Sequence, residues 1–197
     1  MKISTFRFVL YLLISALAVP EIAGNKGLWA SVAYYLFMLS ITALFMYKDG
    51  IRWNFWFHSF KTSIVKSLLY LPVLFLVLLV VGMLFPITSL PEQEGGKNVA
   101  TALLFLVTVV ISPLVEELMF RGYIQEYLRS RLKKEIAIVV SALIFSLYHP
   151  FYIFPYIFVF GVFQSTIREI NGTLYPNIIL HCANNLITFI VIKAMGG

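Results

Sequence analysis

VATALLFLVTVVISPLVEELMFRGYIQEYL, residues Val99 to Leu128, is an apolar run with Glu116, Glu117 and Arg121 set in its interior. A helix needs about 20 mainly apolar residues to cross about 30 Å of hydrocarbon, so this stretch reads as a membrane span. Charged side chains are expensive at that depth and mark a functional site by default. Two further polar groups sit in apolar surroundings downstream: His149, and His181 with Asn185.

The rest of the chain has the same character. Of 197 residues, 60% are hydrophobic and 12% charged, far from the balance of a soluble domain. The fold class is therefore all-α: one integral membrane domain, a polytopic bundle of about seven transmembrane helices. The spans run Thr5 to Pro20, Leu28 to Tyr47, Ser63 to Phe85, Val99 to Leu128, Ile136 to His149, Phe151 to Ile167 and Tyr175 to Ile192. Lys2 and Arg7 before the first span, with Ala16-Leu17-Ala18 near its end, sketch a signal peptide; continuation of the helix to the Pro20 region favours an uncleaved anchor. Cys182 is the single cysteine, has no internal disulfide partner and reads as a small hydrophobe in packing.

Basic residues gather on alternate connections: Lys2 and Arg7; Lys48, Arg52, Lys61 and Lys66; Arg129, Arg131, Lys133 and Lys134; Arg168. The other connections hold Glu21 with Lys26, then Glu92, Glu94 and Lys97, then only Pro150. By the positive-inside rule the N-terminus is cytoplasmic and the C-terminus external in the cell membrane. The net charge of +6 is then topological, and no nucleic-acid partner is implied. Gly50 to Phe60, with Trp53, Phe55, Trp56, Phe57 and His58 between basic residues, reads as an interfacial belt that places His58 at headgroup level.

The polar groups reach overlapping depths. Counted from the cytoplasmic ends at about 1.5 Å per residue, Glu116 lies about 18 Å in, His149 about 20 Å, His181 about 9 Å and Asn185 about 15 Å. Glu117 and Arg121, four apart with the acid first, are spaced for a helical ion pair. Glu116 is rotated about 100° away and free to face the bundle. His181 and Asn185 share a face. Phe145 is one turn before His149 and walls that side. Pro113 removes a backbone hydrogen bond one turn before the glutamates and invites a kink, while Pro150 ends the helix at His149. Each group alone has a structural explanation as interhelical glue; two histidines, a glutamate and an asparagine together exceed what packing requires.

These residues carry a resemblance. Glu116-Glu117-Leu118-Met119-Phe120-Arg121 resembles the EExxxR motif, Phe145 to His149 the FxxxH motif, and His181 to Asn185 the HxxxN motif of the CPBP family of intramembrane proteases. That family, also called Abi, includes CAAX prenyl-protein endopeptidases and bacteriocin-processing or immunity proteins. The resemblance covers roughly Thr101 to Asn185, within a catalytic core over 99–192; residues 1–98 carry no matching motif. It implies hydrolysis of a peptide bond in a membrane-associated protein or peptide, such as a CAAX tail or a leader peptide. Glu116 would be the general base, helped by His149, with His181 and Asn185 stabilising the oxyanion and Glu117, Arg121 and Phe145 in support. No cofactor is favoured. The alternative mechanism is a zinc hydrolase with Glu116, His149 and His181 as ligands, against which stand the missing HExxH spacing and the asparagine. A non-catalytic immunity or peptide-binding protein is a second reading, and a transporter a third, without the internal repeat that class often shows. The four principal residues are expected around one cavity, open toward the cytoplasm or laterally to lipid.

Overall fold

The computed structural model describes residues 4–24, 28–51, 59–86 and 100–194. Among the described residues there is no strand, and the helices are α1 (Thr5–Gly24), α2 (Leu28–Lys48), α3 (Phe60–Leu84), α4 (100–129), α5 (Lys134–Leu147), α6 (Phe154–Asn171) and α7 (Tyr175–Ala194). They fall where hydrophobic run length places them. Five stretches, Leu28–Lys48, Phe60–Leu84, Ala102–Arg129, Phe151–Asn171 and Tyr175–Ala194, are long and apolar enough to cross a membrane. Helix α5 is shorter: its 14 residues span about 21 Å, less than the hydrocarbon thickness, so it does not cross alone. The Ala16-Leu17-Ala18 stretch lies inside the continuous helix α1. Residues 52–58, which include Trp53, Trp56 and His58 of the interfacial belt, lie outside the described residues, as do Lys26, Glu92, Glu94 and Lys97.

Helix α4 is not uniform. Normal α segments alternate with two π segments, Leu106–Ile111 and Leu118–Ile124, which bracket the α segment Ser112–Glu117. The first π segment ends just before Pro113, whose missing N–H and bulky ring disturb a regular α register. The wider turns absorb that disturbance, and such segments recur at functional sites.

Local chemistry sets the other ends. Pro150 stops α5, with Tyr148 N–H turning back to the Phe145 carbonyl and Phe151–Ile153 forming a short 3-10 turn before α6. At the far end of α6, Gly172 takes φ 66° and donates its N–H to the Arg168 carbonyl, a left-handed cap that glycine adopts without Cβ strain. Between α5 and α6 the backbones approach closely at Gly161, where a Cβ would lie 3.2 Å from Ala142 Cα and Cβ. Any larger residue would push this pair apart.

The core is continuous through Tyr11, Met38, Met46, Leu74, Phe120, Tyr123, Phe145, Phe160 and Leu180. Helix α3 packs on α6 and α7 and leaves Leu68, Leu69, Leu76 and Met83 exposed, as a lipid-facing helix should. At the basic end of the bundle, Arg7 Nε meets Asp49 Oδ1 at 2.6 Å and Tyr123 OH donates to Asp49 Oδ2 at 2.8 Å, tying α1 and α4 to the end of α2. On the α4–α6 side, Arg129 Nε and Gln125 Nε2 both donate to Glu169 at 3.0 Å.

Candidate active site

Helix α4 presents its two glutamates to different neighbours, as a 100° rotation requires. Glu117 is fully buried, and its Oε1 accepts from Arg121 Nη1 at 3.2 Å and from His181 Nδ1 at 2.7 Å. Arg121, also fully buried, donates from Nη2 to the Gly161 carbonyl at 3.2 Å and lies 4.4 Å from the centre of the Phe145 ring. The expected Glu117–Arg121 pair thus forms, and it holds a third member that the spacing did not reveal. Because a carboxylate only accepts, His181 Nδ1 is the donor and Nε2 is turned into the bundle.

Glu116 faces a different environment. Ser112 Oγ and Tyr35 OH, the latter at 3.3 Å, both donate to Oε1. The other oxygen, Oε2, lies 3.9 Å from His149 Nε2 and 3.8 Å from His181 Nε2. His149 sits two residues past the end of α5, and its Nδ1 donates to the Phe145 carbonyl at 2.8 Å. That bond fixes the tautomer, so in the neutral ring Nε2 carries the lone pair toward Glu116. Phe145 is fully buried and its ring centre is 4.6 Å from that of His149 and 6.1 Å from that of His181. It therefore walls the site, accepts from one histidine and stacks under the guanidinium.

Asn185 is held through the irregular part of α4. Ser112 N–H bonds the Val107 carbonyl, five residues back; the next donor in that wide register would be residue 113, a proline with no N–H. The Thr108 carbonyl left over accepts from Asn185 Nδ2 at 2.9 Å. Asn185 Oδ1 in turn accepts from Asn184 Nδ2 at 3.3 Å, and Asn184 Oδ1 accepts from Tyr156 OH at 2.9 Å. One N–H of the Asn185 amide is thus occupied in orienting it, and the other is available.

Glu116, His149, His181 and Asn185 all line one cavity of about 550 Å³, with Tyr35, Ser112, Phe145 and Tyr156 in the same wall. The cavity continues along α7 through Thr188 and Phe189 to Ile192, and along α6 back to Ile153 and Tyr152. That course leads toward the end of the bundle that holds the α5–α6 turn. The zinc alternative draws on Glu116, His149 and His181, but among the described residues no group of three His, Cys, Asp or Glu is placed to hold a metal ion.

Tyr35, Ser112, Asn184 and Tyr156 were not singled out by the sequence reading. Ser112 had a signal, since it stands four residues before Glu116 and shares its face. Asn184 is adjacent to a motif residue. Tyr35 and Tyr156 are single aromatic residues in apolar helices and carry no pattern.

Residues 98–187 match the family model described as type II CAAX prenyl endopeptidase Rce1-like. No curated protein and no solved structure matches the chain. Over this segment, which contains all three motifs and with them Glu116, His149, His181 and Asn185, the chain matches the Rce1-like proteins of the CPBP family of intramembrane proteases.

Proposed function

We propose that the chain is an intramembrane endopeptidase that hydrolyses a peptide bond of a membrane-associated protein or peptide with water activated at Glu116. The observation that carries this is the frame around Oε2. Its separations of 3.9 and 3.8 Å from His149 Nε2 and His181 Nε2 are too long for direct hydrogen bonds. They suit one water that contacts all three atoms at about 2.8 Å each.

The division of labour follows from the hydrogen bonds. Ser112 and Tyr35 occupy Oε1, leaving Oε2 to take the water proton as general base. His149 Nε2 orients the same water. The oxygen adds to the substrate carbonyl carbon, and the carbonyl electron pair moves to oxygen. Doubly protonated His181, with Glu117 as counter-charge, presents Nε2–H to that oxyanion, together with the free N–H of Asn185. Collapse of the intermediate breaks the C–N bond, and the proton held by Glu116 passes to the leaving nitrogen. Glu117, Arg121 and Phe145 keep His181 and His149 in place.

This mechanism uses no metal. Activity of the protein purified in detergent should survive dialysis against a strong chelator, without stoichiometric zinc by elemental analysis. Chelator-sensitive activity restored by zinc, with His149→Ala and His181→Ala both losing the ion, would make the site a zinc hydrolase instead. The substrate is sought by mapping N- and C-terminal peptides in membranes carrying the wild-type protein or Glu116→Gln. New termini that depend on Glu116 support proteolysis; a phenotype retained by Glu116→Gln with no change in termini points to a binding or immunity role.

A further inference from the structure

We infer that Tyr156 and Thr188 form a peptide-binding subsite beside the catalytic layer, in which their hydroxyl oxygens accept backbone N–H groups of the chain that the site cleaves. That this chain is cleaved rests on the proteolytic reading above, whereas the capture of a peptide backbone stands on the hydrogen bonds of the cavity wall.

The hydroxyl protons along this wall are already committed. Asn185 Nδ2 donates to the Thr108 carbonyl at 2.9 Å, and a carbonyl only accepts, so the polarity of the hydrogen-bond chain is set from that end. Asn185 Oδ1 then accepts from Asn184 Nδ2 at 3.3 Å, which turns Asn184 Oδ1 toward Tyr156 and makes the tyrosine the donor at 2.9 Å. Thr188 Oγ1 donates to the main-chain carbonyl of the same Asn184 at 3.0 Å. A hydroxyl carries one proton and two lone pairs. Tyr156 and Thr188 both line the cavity, and with their protons spent they offer a ligand only acceptor capacity. Tyr35 and Ser112, by contrast, are held to Glu116 Oε1 and belong to the base.

A peptide backbone is the ligand that needs such acceptors. In a cavity also walled by Ile153, Ile157, Phe160, Phe189 and Ile192, an N–H group taken out of water without a partner is costly, and these side chains cannot supply one. The placement fits as well. His181, Asn185, Thr188 and Ile192 follow one face of α7 at four- and three-residue spacing, so Thr188 stands about 4.5 Å along the axis from Asn185. An extended chain advances about 3.3 Å per residue. A carbonyl held by His181 and Asn185 therefore brings N–H groups about one or two residues away to the level of Thr188 and Tyr156, both of which are fixed by Asn184. Donors for the carbonyl and acceptors for the neighbouring N–H groups together read main chain and not side chains. They select an extended segment over a helix, whose N–H groups are already bonded within the helix.

The test measures binding apart from cleavage. The full-length protein carrying Glu116→Gln is titrated in detergent with a fluorescein-labelled, end-blocked hexapeptide of alternating alanine and leucine, and with versions methylated at one backbone nitrogen each. Fluorescence anisotropy, corrected for empty micelles, gives Kd. Addition of Tyr156→Phe or of Thr188→Val should weaken binding of the unmethylated peptide about 3- to 10-fold, the worth of one hydrogen bond, and Thr188→Ser should retain the parent affinity. Methylation at the nitrogen that meets Thr188 should weaken binding by a similar factor in the parent protein and no further in Thr188→Val. Unchanged affinity in both variants, methylation losses that are the same with and without the hydroxyls, or no measurable binding of the peptide overturns the inference. Where Tyr156→Phe lowers the unfolding temperature by releasing Asn184, the comparison of Thr188→Val with Thr188→Ser decides. None of these readouts requires a bond to be cut. The expected pattern without any Glu116-dependent cleavage would leave the subsite and remove the proteolytic reading, whereas cleavage with unchanged affinities would keep that reading and remove the subsite.

Discussion

In α4–α7 the buried polar side chains come in helical pairs and meet across helices: Glu117 with Arg121 and His181, Gln164 with Asn177, Asn184 with Asn185 and Tyr156. In α1–α3 the side-chain contacts to other helices are mostly isolated, Tyr11 to Thr42, Ser15 to Tyr148 and Tyr35 to Glu116, with Asp49 just past α2, bound by both Arg7 and Tyr123, the exception. The difference separates two tasks. The C-terminal helices assemble a network whose members depend on one another, and the N-terminal helices close it with isolated contacts. Loss of a network member should therefore cost far more than loss of a closing contact.

The sharpest way to break this comparison begins at Glu116. Glu116→Gln keeps the shape and removes the base, so turnover should fall about 10²–10⁴-fold while the protein accumulates normally in the membrane. Residual activity within a few-fold of wild type would move the base elsewhere. Arg121→Ala should act on stability instead, because it breaks the buried pair, leaving Glu117 with His181 alone and the Gly161 carbonyl without its donor, at a cost of about 3–5 kcal/mol. Reduced accumulation and a lowered unfolding temperature in detergent are the expected signs, and normal accumulation would show that the pair is not structural. Asn185→Ala should lose about 10²–10³-fold in turnover through the oxyanion, with Asn184→Ala showing a smaller loss of the same kind because it only orients Asn185. Tyr35→Phe should have the smallest effect, since one hydrogen bond of about 0.5–1.5 kcal/mol is removed from Glu116 and Ser112 still donates there. A loss at Tyr35 as large as that at Glu116 would erase the distinction between the two groups of helices.

The same contrast explains what could be read from the chain. Hydrophobic run length located the seven helices of the described residues, because a bilayer imposes a length that a soluble core does not. Four-residue spacing on α4 and α7 exposed the ion pair and the His181–Asn185 face, and it extended equally to Ser112. Depth counted from the basic ends gave Glu116, His149, His181 and Asn185 overlapping depths, about 9 to 20 Å, rather than one level. That Glu117 is shared between Arg121 and His181 was hidden, since the rotation of α7 against α4 is set by packing and no periodicity reports it. Tyr35 was hidden for the same reason. The course of the cavity along α6 and α7 was not legible, because it depends on how those helices extend beside α5, whose 14 residues had been counted as a full span.

The π segments of α4 have a consequence at the level of the gene. A wide turn is, in effect, one extra residue taken into a helix without lengthening the ladder beside it. Deleting a single codon within 106–111 would let the helix relax to a regular register and turn everything before it by about 100° relative to Glu116. Thr108 would leave Asn185, while the hydropathy of the span would scarcely change. The site is thus more sensitive to the count of residues in this stretch than to their identity: exchanges among valine, leucine and isoleucine there should be tolerated, and a one-residue deletion should not.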